Sequence, residues 1–128
     1  MPRHTIEFDT VRKLARELGE VEDSTIHGNP SLKVRGKLLT CIPVHKSVEP
    51  HSLAVRIDLD HRADLLAAAA PDVYYVTDHY VNYPTVLVRL SRIEPEALKD
   101  LLRMAWSFVT AKSAVRRRSV GKRRPPFS

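Results

Sequence analysis

Two stretches of this chain, 32–35 and 52–58, place an apolar side chain at every second position, and that period is the strongest constraint on its fold. A step of two is the signature of a strand buried on one face only. Leu32-Lys33-Val34-Arg35 alternates, and Lys37-Leu38-Leu39-Thr40-Cys41-Ile42 follows after Arg35-Gly36. Glycine accepts the positive φ of a two-residue hairpin turn, so the two segments read as an antiparallel pair. With that turn Val34 faces Lys37 and Leu32 faces Leu39. Cys41 is then expected on the same buried face as Leu39, with Lys33 and Arg35 pointing away. In 52–58, Leu53, Val55 and Ile57 share a face, opposite Ala54 and Arg56.

The period changes on either side. Phe8, Val11, Leu14, Ala15 and Leu18 recur at steps of three and four, which predicts a helix over about 6–18 with Thr5 as N-cap and Gly19 just past its end. A short strand at 24–27 leads into a Gly28-Asn29-Pro30 turn, and 43–50 reads as a loop. Asp60 is the expected N-cap of a helix over about 61–70, with Ala63, Leu66 and Ala70 as its stripe and Leu65 and Ala69 beside it. Segment 73–76 is β-prone, 78–84 is a polar, aromatic connection, and 85–90 is a strong strand with Val86, Val88 and Leu90 on one face and Leu87 and Arg89 on the other. Pro95 opens a last helix whose stripe is Leu98, Leu101, Leu102, Ala105 and Val109 and which ends near 111. The expected order is α-β-β-β-α-β-β-α, an α+β fold of two layers: one mainly antiparallel sheet with the helices on one face. The strand faces bearing Lys33, Arg35, Arg56 and Arg89 form the other side.

Charge divides the chain in two. The net charge is +6, from 21 Lys and Arg against 15 Asp and Glu. Arg116, Arg117, Arg118, Lys122, Arg123 and Arg124 lie within 113–128, which contains no acid. Residues 1–112 are formally neutral. The chain therefore reads as one domain, 1–112, followed by a basic tail with no apolar period, 113–128, expected to be disordered.

At this point the residues are similar to those of the MmcQ/YjbR family, over about 6–111. The resemblance is carried by His27-Gly28-Asn29-Pro30 and the Val34-Arg35-Gly36-Lys37 hairpin, by 53–58 leading into a helix with Arg62 and Leu66, and by Asp78-His79-Tyr80. The 84–90 strand and the terminal helix complete the series. Tyr83-Pro84-Thr85 stands where the family commonly has another aromatic, often Trp. The resemblance implies a small two-layer α+β domain, labelled DNA-binding, with strand hairpins compared to wings and no catalytic motif to transfer.

The expected function is non-enzymatic nucleic-acid binding, mainly through phosphates, with DNA or another polyanion as partner. The candidate residues are Lys33, Arg35, Lys37, Arg56 and Arg89 on the sheet, and the six tail cations. Lys33 and Arg35 stand about 7 Å apart by strand geometry, close to the spacing of phosphates along one strand. The alternative is a protein-interaction or small-ligand module with an incidental tail, consistent with the neutral body. No cofactor or metal is expected. The six histidines, His4, His27, His45, His51, His61 and His79, show no paired ligand spacing, and the loop holding His45, Glu49 and His51 offers at most a weak set. Asp78-His79-Tyr80 places Asp and His on opposite sides of an extended segment, unsuited to an acid–base pair. A single Cys excludes a disulfide framework. No apolar run approaches a membrane span, and Met1 to Thr5 hold no signal-like stretch, so the expected setting is cytoplasmic.

Overall fold

The computed structural model describes residues 6–68 and 72–111. Among these described residues three helices and six strands follow one another as α1 (Phe8–Arg16), β1 (Val21–Ile26), β2 (Asn29–Val34), β3 (Lys37–Cys41), β4 (Ser52–Arg56), α2 (Leu59–Ala68), β5 (Tyr74–Tyr75), β6 (Thr85–Arg89) and α3 (Pro95–Thr110). The strands form one antiparallel sheet in the order β1-β2-β3-β4-β6-β5. The α+β class is as the periodicity predicts. Four strands separate α1 from α2, against three in the expected order: the short strand expected at 24–27 is the six-residue β1, paired with β2 along its whole length, and His27 falls in the turn after it.

Two consecutive hairpins share one turn chemistry. Ile26 pairs with Asn29 and Val34 with Lys37, so His27-Gly28 and Arg35-Gly36 are each two-residue turns. All four residues have positive φ, at 53° and 80° in the first turn and 53° and 79° in the second. Turns of this hand match the twist of antiparallel strands. The first turn thus sits at His27-Gly28, and Asn29-Pro30 opens β2 instead of belonging to the turn.

Cys41 lies on the face opposite to the one expected. A bulge between β2 and β3 sets Lys33 opposite Leu38 but Leu32 opposite Thr40, so Leu32 does not face Leu39. The extra residue puts Leu39 and Thr40 in succession on the core side, both with no exposed surface. Thr40 is accommodated there by donating its hydroxyl to the Ala54 carbonyl at 2.7 Å. The alternation after the bulge is shifted by one, and Cys41 lies on the opposite face, across from Ser31 and Ala54.

The core lies between the sheet and the helices. Leu32, Val34, Leu39, Leu53, Val55, Val86 and Val88 meet Val11 and Ala15 of α1 and all five residues of the predicted α3 stripe. Trp106 of α3 donates its indole N–H to the Gly19 carbonyl at 3.0 Å, tying α3 to the end of α1. Thr5, the expected cap of α1, lies outside the described residues, and the observed cap position is Glu7.

Helix α2 departs most from expectation. It begins at Leu59, and its cap is Asp58, not Asp60: Asp58 Oδ1 accepts the His61 backbone N–H at 2.7 Å. Ala63 and Leu66 are exposed, while Leu65 packs partly against the core and Arg62 is buried. Ala69 and Ala70 lie outside the described residues.

Candidate functional site: a cleft on the second face of the sheet

The sheet face turned away from the core carries Lys33, Leu38, Cys41, Ala54, Arg56, Leu87 and Arg89, by the alternation of each strand. The separation of these cations from the apolar face is as the sequence predicts. The face is not simply open to water, however. Loop 42–51 and connection 76–84 fold over its centre and leave a cleft of about 230 Å³. Its floor is Leu38, Cys41, Ala54 and Arg56, and its walls are His79, Tyr80 and Tyr83. A neighbouring depression of about 390 Å³ shares Leu38, Cys41, His79 and Tyr80 and extends towards His27 and Pro43.

Buried Arg62 holds the 76–84 connection in place. Its Nη1 donates to the carbonyls of Tyr83 at 3.0 Å and Thr85 at 3.1 Å, with a longer contact to Tyr80 at 3.3 Å, and its Nη2 donates to Val81 at 2.8 Å. One guanidinium thus collects three carbonyls of a segment that has no regular structure of its own and a fourth from Thr85, the first residue of β6. This satisfies buried polar groups that would otherwise be costly.

The 42–51 loop is fastened at its other end by Arg89. Its guanidinium forms two parallel bonds to Glu49 at 2.8 and 2.7 Å and stacks 4.4 Å from the centre of the Tyr75 ring. The Tyr75 hydroxyl accepts the Glu49 N–H at 3.0 Å and bonds the Ser52 hydroxyl at 2.6 Å. The Arg89 bond holds the Glu49 carboxyl below the usual carboxylate range. The two loops meet where the His45 and His79 rings stack, 3.6 Å apart and 13° from parallel, with Tyr80 edge-on to His79. Burial, then the nearby His79 and Lys46, pushes the His45 pKa down.

The expected nucleic-acid residues are distributed unevenly. Arg35 is ion-paired with Glu20 at 2.6 Å, and Arg89 with Glu49, so neither presents uncompensated charge. Lys33 is half-buried and lies across from Glu22 of β1. Lys37 is exposed at the hairpin turn. Arg56 reaches into the cleft: its Nε is buried, and its guanidinium has no hydrogen-bond or ion-pair partner among the described residues. Arg116, Arg117, Arg118, Lys122, Arg123 and Arg124 lie outside the described residues.

Among the described residues no three His, Cys, Asp or Glu side chains gather as a metal set, and no helix is long and apolar enough to cross a membrane. Glu49 is turned to Arg89 and His45 to His79, so the loop histidines and Glu49 do not converge. Burial raises the Cys41 thiol above its ordinary range, which opposes nucleophilic chemistry. The sequence reading missed the bracing role of Arg62 and the cleft itself. The sequence carries no mark of that role: Asp58 stands four residues before Arg62, the spacing of an ordinary helix ion pair, yet in the structure it is turned to His61.

The chain matches no protein-family profile. Among curated proteins, uncharacterized protein Mb2600 of Mycobacterium bovis and uncharacterized protein Rv2570 of Mycobacterium tuberculosis are each 38% identical to it over 63 residues, 49% of this chain and 49% of theirs. The chain thus spans about half the length of the curated relatives it matches.

Proposed function

We propose that this chain is a non-enzymatic nucleic-acid-binding protein of the MmcQ/YjbR type, in which the tail supplies most of the contact with phosphates. The observation that carries this reading is the segregation of charge. Residues 1–112 are formally neutral, and two of the five candidate cations on the sheet, Arg35 and Arg89, are held by Glu20 and Glu49. The whole excess of +6 resides in residues 113–128. Such a run binds polyanions by releasing condensed counterions and reads no bases. Lys33 and Lys37 of the second hairpin add a smaller contribution from the body. The test is a titration of duplex DNA at two salt concentrations, with the full chain and with a variant whose six tail cations are replaced by Gln.

A second reading, a small-ligand module, is favoured by one observation: the cleft over the second face holds a cation that no described residue neutralises.

A further inference from the structure

We propose that the cleft formed by Arg56, Tyr80 and Tyr83 binds a small planar carboxylate, with the Arg56 guanidinium taking the carboxylate and the tyrosine rings flanking its body. This rests on the small-ligand reading and is independent of DNA contact.

Arg56 is the starting point. A guanidinium whose Nε is removed from water and has no acceptor among the described residues is a costly arrangement, retained where a ligand supplies the acceptor. Its planar fork matches a carboxylate through two parallel bonds. Of the other floor residues, Leu38 and Ala54 are apolar and Cys41 is a thiol whose pKa burial raises, so none offers a competing charge. A phosphate dianion would call for further donors, such as a helix N-terminus or a second cation. Arg56 is the single Arg or Lys in the lining, and no helix residue contributes to it. The cleft, at about 230 Å³, lies below the ~300–1,000 Å³ of drug-sized sites, so it suits a ligand of one ring or less. Tyr83, more than half exposed, stands at the mouth, and Tyr80 lies deeper. A second buried polar atom without a partner among the described residues, Ser31 Oγ, lies on the same sheet face, across from Cys41.

Cys41 on the floor provides a reporter, since a ligand above it shields its thiol. The full-length protein is alkylated under native conditions in the presence of benzoate, of neutral benzamide, or of inorganic phosphate. At ten times its Kd, benzoate is expected to slow modification of Cys41 about tenfold, because only free protein reacts. Benzamide and phosphate are expected to leave the rate unchanged. Arg56→Gln removes the protection by benzoate and melts no lower than the parent, since it deletes a charge that has no partner among the described residues. Should R56Q fail to fold, Arg56→Lys keeps the charge but not the fork, and is expected to weaken protection. Equal protection by benzamide would leave a ligand cleft but overturn the carboxylate. Equal protection by phosphate would overturn the planar anion in favour of anions at large. Protection by none of the three, or full protection of R56Q by benzoate, would overturn both the proposal and the small-ligand reading beneath it. DNA binding through the tail is read in a separate titration and stands or falls on its own.

Discussion

Arg62 and Arg56 have opposite circumstances on neighbouring elements. Arg62 is 9% exposed and surrounded by carbonyls; those of Tyr80 and Tyr83 also accept backbone N–H groups, so removing it takes the charged donor from all four and leaves the Val81 and Thr85 carbonyls with the most to lose. Arg62→Met is expected to cost on the order of 3 kcal/mol, from bonds to a charged donor worth about 1.5–3 kcal/mol each and partly regained by hydration of the freed loop. A thermal melt checks this, and a fall smaller than that of the cap variant Asp58→Ala, about 1 kcal/mol, would contradict it. The stacked histidines predict a pH dependence. His45 has a depressed pKa in the folded state, so near its ordinary value of 6.5 the unfolded chain binds the extra proton. Its contribution is therefore present above about pH 6.5 and lost as pH falls below that value. Melting temperature is expected to drop between pH 7.5 and 5.5, and His45→Gln to flatten that part of the profile. A parent profile already flat across this window would contradict the assignment. The low pKa of Glu49 acts in a separate, more acid window, where its bond to Arg89 is lost as the carboxyl protonates.

At the scale of elements, the hairpins were legible and the bulge between β2 and β3 was not. Arg35-Gly36 between alternating residues specifies its turn, and the structure has both φ angles positive there. A Cβ on Gly36 would meet nothing within 4 Å, so Gly36→Ala isolates the backbone term. It is expected to destabilise by about 1 kcal/mol, measured by denaturant titration, and no change would show that the turn relaxes to another type. The bulge left no comparable mark. Leu38-Leu39-Thr40 offers two apolar residues in succession, and nothing in their identity says which is the extra one. A shift of one residue was enough to move Cys41 from the core face to the cleft. Helix α2 was misread for a related reason. An alanine-rich segment has no unique stripe, so Ala63 and Leu66 looked buried when the anchoring residue was Arg62. The acceptors of Arg62 are backbone carbonyls, which every residue carries, so no sequence pattern announces them. The α3 stripe was legible in full because five large or small apolar residues share one narrow face.

For the whole molecule, the separation of apolar and charged sheet faces was readable from alternation alone, while the state of each charge was not. Glu20 and Arg35 are fifteen residues apart, and Glu49 and Arg89 forty, so their pairing depends on the sheet bringing them together. That pairing, with the formal excess of +6 lying in 113–128, makes the salt dependence of DNA binding the most direct measurement of the central claim. Six phosphate contacts correspond to a slope of log K against log salt of about −5, at −0.9 per contact. The full chain is expected to approach that slope on duplex DNA. Replacing the six tail cations by Gln is expected to remove most of it, while Lys33, Arg35 and Lys37 changed to Glu in the full chain have a smaller effect. A tail-neutralised protein that binds with the affinity and slope of the parent, or a parent that does not bind duplex DNA at moderate salt, would contradict the account.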